Sequence, residues 1–447
     1  MNTLIYLTNQ SNNLALDSNK IFFQEFRKRN GGNLIVTVES DFDYQYFKNR
    51  KQLLGIQKII NLYNNDSKNL EFKNTSEFSI DYLLKIEPAK FNNEKKLINF
   101  LGYFENTLQK ILDDYKIQNF CYLSLSGVFR SLGLFHSYHL IKKLPIKIFF
   151  PFTTPVKGRF MIYQDIYFKS ETFDSLINEV IKNENKPYKK ILDEYFNDYK
   201  KFKSSHLKYI KNRKSISSTK SEKNFSLKFF FKKIINRIQY GPKRKNLTTS
   251  LNKPYAVILL SKNNQWYNSY ADQDLLNIPE LIKSVHSNLP SNYSLALKGH
   301  PHMVGDDILE RVSSNLNDCS IYFDELSTED LIKSSEIVFS FGTTAGVESL
   351  MYFKKVIEIG KNPAYYNISN PPVFRAKKIS DIKDVINICI NNSINENEVY
   401  SYFDSLLKSS FSISPNDKIA LERTDYSYRQ IARELNTKIT EISSLSK

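Results

Sequence analysis

The chain has 447 residues, 41% apolar and 14% aromatic, enough for two domains of the usual ~100–200 residues with a filled core in each. That composition excludes global disorder, and three cysteines without a short-spaced pair exclude a disulfide framework or a structural zinc site, so buried thiols in a reducing compartment are expected. The net charge of +16 is uneven: Lys200–Lys245 holds 16 Lys or Arg against one acid, Glu222, and the rest of the chain is near neutral.

In chain order, apolar runs predict strands at Leu4–Thr8, Asn33–Val38, Phe120–Leu125 and Ile146–Phe150. Between them, helices are predicted at Asn19–Arg29, Asn93–Tyr115 and Arg130–Lys142. Strands alternating with helices imply a parallel sheet covered on both faces. Residues 65–81 read as a polar connection. Helix is predicted on either side of Pro187 between Asp174 and Lys211, and Arg213–Lys223 has the Ser/Lys composition of a linker.

Leu227–Ile238 follows. At 100° per residue Leu227, Phe230, Phe231, Ile234 and Ile238 share one face, flanked by Lys228, Lys232, Lys233 and Arg237, and Gly241-Pro242 ends the helix. A solvated charge run and a nucleic-acid arm are the competing readings of this segment. No nucleic-acid module accompanies it, and a basic amphipathic helix suits an anionic membrane surface, each Lys adding ~1 kcal/mol there. An anionic inner-membrane partner is therefore expected, and no nucleic acid.

A second alternation runs from Pro254 to about Asn392. Strand Tyr255–Leu260, helix Ile278–Leu289 and strand Tyr293–Lys298 lead into Gly299-His300-Pro301-His302. Helix Asp306–Ser314, strand Ser320–Phe323, helix Thr328–Ser334 and strand Glu336–Ser340 lead into the loop Phe341–Ala345, then helix Gly346–Phe353 and strand Lys355–Ile359. The last 30 residues place Tyr428, Ile431, Ala432, Leu435, Ile439 and Ile442 on one face of a helix. The expected fold is α/β, two Rossmann-like domains facing a cleft, with a basic helical linker between them. The boundaries are 1–170, a linker at 171–250, a second domain at 251–420 and a terminal helix at 421–447. No run of ~18 apolar residues and no signal-peptide pattern is present, so a cytoplasmic protein is expected.

Ligands of open α/β sheets bind at the carboxyl ends of strands, which directs attention to two loops. Ser340, Gly342, Thr343 and Thr344 form a small-residue turn at a helix start, offering N–H groups and hydroxyls suited to a phosphate; an ordinary capped turn is the other reading. It is neither a Walker loop nor a Gly-x-Gly-x-x-Gly fingerprint. Glu348, on the first turn of the next helix, could accept bonds from ribose hydroxyls. His300 and His302, with Pro301 between them, end a strand one βαβ step earlier; without further ligands at suitable spacing they suit a phosphate or a base better than zinc.

These residues carry a resemblance. Lys298-Gly299-His300-Pro301, the block Ser340–Gly346 with Val347-Glu348-Ser349-Leu350, and Lys355-Val356-Ile357 with Gly360 resemble the capsule polysaccharide biosynthesis family, whose members are similar to GT-B glycosyltransferases such as the Kdo transferases. The match covers Pro254–Tyr366 and, more weakly, Ser124–Tyr163. It departs from the pattern at Gly299, at Phe353-Lys354-Lys355 and at Phe149-Phe150-Pro151-Phe152.

The resemblance implies a glycosyltransferase of bacterial surface polysaccharide, with a nucleotide-sugar donor such as CMP-linked Kdo in the second domain and a lipid-linked glycan acceptor on the first. It implies no cofactor and no bound metal. His300 and Pro301 match the nucleotide segment, Ser340, Gly342, Thr343 and Thr344 the phosphate loop, and Glu348 the carboxylate after it. A general base is required from the first domain. Asp17 ranks ahead of Glu39, Asp41 and Asp43 because it sits where the first βα loop meets its helix. Asp41-Phe42-Asp43 also resembles a metal-binding Asp-x-Asp, against the architecture. A teichoic-acid-type polyol-phosphate transferase and a catalytically silent module are the alternatives.

Overall fold

The structure is a computed structural model that describes residues 2–7, 13–29, 32–62, 93–123, 132–156, 158–165, 169–182, 189–190, 192–202, 254–260, 277–299, 316–322, 326–341, 343–360, 373–415 and 424–444. The chain divides into two compact units, Met1–Leu176 with Leu406–Lys447, and Ile177–Ser405.

In the first unit the elements run β1 (Thr3–Leu7), α1 (Asn13–Arg29), β2 (Leu34–Val38), α2 (Asp41–Lys48), α3 (Lys51–Leu54), β3 (Lys58–Asn61), α4 (Glu94–Tyr115), β4 (Asn119–Leu123), α5 (Leu132–Ile141), β5 (Lys147–Thr153), β6 (Arg159–Tyr163) and α6 (Glu171–Lys182), whose last turns pass into the second unit. The second unit continues with α7 (192–202), β7 (Tyr255–Leu259), α8 (Ile278–Asn288), β8 (Ser294–Lys298), β9 (Cys319–Tyr322), α9 (Thr328–Ser334), β10 (Ile337–Ser340), α10 (Thr344–Leu350), β11 (Lys355–Ile359), β12 (Val373–Ala376), α11 (Ile382–Asn391) and α12 (Glu396–Ser409). The chain then returns to the first unit through β13 (Phe411–Ser412) and α13 (Asp425–Ser444).

The first sheet has seven strands in the order β13-β6-β5-β4-β1-β2-β3. Strands β1 to β5 pair in parallel, and β1, β2 and β4 are buried along their whole length, as expected of strands covered on both faces. One face packs on Phe22, Phe23 and Phe26 of α1 and on Ile431, Ala432, Leu435 and Ile439 of α13, the stripe the sequence spacing marks. Two contacts fasten α13 to α1: Arg433 Nε donates to the buried Glu25 at 2.8 Å, and Asn436 Nδ2 donates to the Phe26 carbonyl at 3.0 Å. The division of the chain falls at Ser405, ahead of the expected 420, because Phe411 and Ser412 pair antiparallel with Phe160 and Arg159. Arg159 also donates to the carbonyls of Leu407, in the last turn of α12, and of Ser410, just past it.

The second sheet is parallel throughout, in the order β12-β11-β10-β7-β8-β9. The chain winds outward from β7 through β8 to β9, then crosses to the other side and winds through β10, β11 and β12. This is the doubly wound Rossmann order, and its direction reverses between β7 and β10. Helices α8 and α11 pack Leu281, Ile282, Val285, Ile382 and Ile386 against alternate strand residues such as Ile258, Leu297, Phe339 and Ile357. Right-handed crossovers put the helix after β10 on the opposite face. The Tyr255 hydroxyl, donating to the Leu331 carbonyl at 2.7 Å, ties α9 to that opposite face. Both units are therefore Rossmann-like, and Cys121, Cys319 and Cys389 are free buried thiols, each held protonated by desolvation.

Candidate functional site

The reversal point of a doubly wound sheet leaves a crevice at the carboxyl ends of its two flanking strands, because the connections leave them in opposite directions. In the second unit those strands are β7 and β10, where Ser340 is in register with Leu259. The chain after Ser340 turns tightly. Thr343 takes an extended backbone and N-caps α10, its side chain accepting from the Gly346 N–H at 3.3 Å. Ser340 Oγ accepts the Thr343 N–H at 3.3 Å and lies 3.3 Å from Thr343 Oγ1. The two hydroxyls hold the turn in shape, while the N–H groups of Thr344 and Ala345, at the first two helical positions, have no acceptor within the helix. Ser340 is buried, Thr343 half-buried and Thr344 exposed, so the turn rises from the sheet edge to the surface. Gly342 lies outside the described residues, as do His300, Pro301 and His302, which follow β8 and Gly299 in the chain.

Glu348 departs from its expected place. Because Thr343 is the cap, α10 starts at Thr344 and not at Gly346, which moves Glu348 into the second turn. There it is 5% exposed and accepts the Tyr199 hydroxyl of α7 at 3.1 Å. Burial, then the adjacent Glu348 carboxylate, hold the Tyr199 hydroxyl well above the ordinary phenol range. Lys200 Nζ lies 4.4 Å from the Tyr352 ring, and Tyr352 donates to Glu329 at 2.6 Å. Burial first, and Lys333 second, lower the Lys200 ammonium below its usual value. Sequence reasoning passed over Tyr199, since a tyrosine in a Lys-rich helical run signals nothing by itself.

In the first unit the helix starts earlier than expected, so Asp17 lies inside α1, and its side chain is outside the described residues. Asp41 and Asp43 belong to the first turn of α2. Ser40 caps that turn, Asp43 accepts the Ser40 hydroxyl at 2.7 Å and Asp41 accepts Asn61 Nδ2 at 2.6 Å. Such an arrangement is helix capping. Among the described residues no group of three His, Cys, Asp or Glu is placed to hold a metal. Glu39, just past β2, is buried and accepts the Tyr6 hydroxyl at 2.5 Å. Where the family pattern has a Glu-x-Gly after the strand, β5 continues through Pro151, pairing with Ile162 of the antiparallel β6.

The basic residues Lys228, Lys232, Lys233 and Arg237, with Phe230 and Phe231, lie outside the described residues. No helix among the described residues is long and apolar enough to cross a membrane.

No protein-family model matches the chain, and no curated protein matches it. Among solved structures it is similar to a glycosyltransferase from Rickettsia africae, at 12% identity over 98% of both chains with a TM-score of 0.31. It is also similar to KpsC, the β-Kdo 2,7 transferase of Thermosulfurimonas dismutans, at 10% identity over 92% of this chain and 99% of that one with a TM-score of 0.39. A third similarity is to the UDP-GlcNAc 2-epimerase of Neisseria meningitidis bound to UDP-GlcNAc, at 11% identity over 99% of this chain and 100% of that one, TM-score 0.29. What each of these proteins binds or transfers is a property of that protein.

Proposed function

We propose that the chain is a glycosyltransferase that takes its sugar from a nucleotide-activated donor held by the second unit. The observation that carries this reading is the capped Ser340–Thr343 turn standing at the reversal point of an all-parallel sheet. That position would offer the Thr344 and Ala345 N–H groups, with the exposed Thr344 beside them, to the oxygens of a phosphate. Fixed donors of this kind stabilise the charge that develops on a departing nucleotide phosphate without a bound metal. From their place in the sequence, two and four residues past the end of β8, His300 and His302 are proposed to supply imidazoles to the same nucleotide donor.

The first unit would supply the acceptor side. Its described acid at the carboxyl end of a strand is Glu39, and with Asp17 it is a candidate base for the acceptor hydroxyl. The residues shared with the capsule polysaccharide family support a lipid-linked glycan of a bacterial surface polymer as acceptor. The basic amphipathic stretch Leu227–Ile238 supports work at an anionic membrane surface, from the cytoplasmic side.

Donor turnover tests the reading. The purified chain is incubated with CMP-, UDP- and GDP-linked sugars and with CDP-glycerol, and nucleotide release is scored with and without lipid-linked acceptor. Release from a sugar nucleotide, lowered at least tenfold in Thr343→Ala, is the expected result. Release from CDP-glycerol alone would replace it by polyol-phosphate transfer, and neither binding nor turnover of any donor would leave a non-catalytic module.

A further inference from the structure

The face of the second sheet opposite the main core changes character in a single step. One row before the carboxyl edge, Ser320, Ala296, Val257, Val338, Val356 and Val373 stand in register across the six strands. The next row on the same face, two residues on, is Tyr322, Lys298, Leu259, Ser340, Glu358 and Arg375. A nearly apolar row is followed by one with five polar members, three of them formally charged. Glu358 is fully buried, Lys298 is 8% exposed and Arg375 is half-buried. Burying charge is costly unless it is compensated, and a strand facing a helix gains nothing from Glu or Arg that Val would not give more cheaply. Among the described strand residues of this face the charges fall in this row, at the carboxyl edge where open α/β sheets bind ligands, and Lys298 there donates to the Leu326 carbonyl at 2.7 Å.

With strands ~4.8 Å apart, the Arg375 backbone lies about 10 Å from Ser340, with Glu358 between them. An arginine suits an anion there, because its planar fork has five N–H donors and matches a phosphate or carboxylate in two-point contact, and an in-register acid offsets its charge.

We propose that this row is an anion-recognition edge in which Arg375, in register with the buried Glu358, binds a phosphate or carboxylate of the ligand seated on the Ser340–Thr343 turn. The proposal rests on the nucleotide reading above.

Isothermal titration of the full chain, its Arg375→Gln variant and its Arg375→Lys variant separates the outcomes. The probes are CMP, UDP, GDP, the corresponding nucleosides, and the pair UDP-glucose and UDP-glucuronic acid with CMP-sialic acid. Unliganded melting curves confirm that the variants are folded. The expected result is a loss of at least tenfold in Arg375→Gln, partly restored in Arg375→Lys, with nucleoside binding unchanged. A loss already present with the bare nucleotide assigns Arg375 to phosphate; a loss confined to the acidic-sugar nucleotides assigns it to a sugar carboxylate. Equal affinity of Arg375→Gln and the unmodified chain for every nucleotide the latter binds overturns the proposal alone. Absence of any nucleotide binding by the unmodified chain overturns the nucleotide reading and this proposal with it.

Discussion

The hydroxyl of Tyr199 donates to Glu348 Oε1 at 3.1 Å, joining two buried side chains 149 residues apart. The bond fixes α10, the helix that follows the Ser340–Thr343 turn, to α7. Tyr199→Phe deletes one oxygen and little else. Removing a donor from a buried carboxylate costs roughly 1–3 kcal/mol, so the unfolding free energy should fall by that amount, and the denaturation midpoint with it, while overall secondary structure stays the same. An unchanged midpoint would show that Glu348 is satisfied without Tyr199.

Thr343 is the cap of α10, and its hydroxyl also lies against Ser340. Thr343→Ala should cost about 1 kcal/mol in stability and loosen the turn, and Thr343→Ser should restore both. Comparing thermal melts of the three proteins checks this. The cap interpretation fails if the serine variant behaves like the alanine one.

Glu25 and Arg433 make a pH-dependent fastening of the terminal helix. The hydrogen bond from Arg433 is the main reason that the Glu25 carboxyl is held below its ordinary range, with burial opposing. The stabilisation is present above the usual carboxylate pKa near ~4.3 and is lost as pH falls through the lower folded value. Arg433→Ala should lower stability at pH 7 by roughly 1–3 kcal/mol, the pair being half open to solvent on the arginine side, and should flatten the acid limb below about pH 5. Denaturant titrations at pH 7, 5 and 4 measure both effects.

His139 acts in the same direction by another cause. Burial first, then Lys142, His136 and Lys143, push its imidazole down to about 3. The unfolded chain takes up this proton near pH ~6.5 and the folded chain does not, so stability declines as pH drops below that point, by roughly 1–2 kcal/mol between pH 7 and pH 5. His139→Leu should remove that slope, and a slope identical to the unmodified chain would assign it to other groups.

The pattern of alternating apolar runs and helical stripes made both Rossmann-like units legible, since strands buried on two faces write themselves as continuous Val/Ile/Leu/Phe runs. The terminal stripe of Ile431, Leu435 and Ile439 was equally plain; its docking on α1 depends on Glu25 and Phe26, which no local spacing connects to it. The strands β3, β12 and β13 at the sheet edges escaped notice because they have only four, four and two residues, and β12 carries Arg375 within it; β6, which pairs with β13, escaped with them. The Ser340–Thr343 turn was readable from its small residues. Glu348 was placed one turn too early because the cap is Thr343, and the charged row was invisible because Lys298, Glu358 and Arg375 stand on three different strands and fall into one row only through strand register. At the helix end the family pattern has Gly where this chain has Phe353, which takes the left-handed conformation at φ 53 and packs edge-on to Tyr400 at 5.6 Å.

Membrane work by the basic stretch is open to a direct check. Deleting Leu227–Ile238 should abolish sedimentation with anionic phosphatidylglycerol vesicles and leave neutral phosphatidylcholine vesicles, which the chain should not bind, unaffected. Equal sedimentation before and after the deletion would remove that part of the account.

The central claim is that the turn at the reversal point of the second sheet holds a nucleotide phosphate. It is tested most directly by thermal stabilisation of the full chain with CMP, UDP, GDP and CDP-glycerol, each at a concentration series. The expected result is a rise in melting temperature that grows with the logarithm of concentration for at least one of them, equivalent to about 2.7 kcal/mol of stabilisation when the ligand stands at about 100 times its dissociation constant, and a smaller rise in Thr343→Ala. No rise with any nucleotide, or an equal rise in Thr343→Ala, would contradict it.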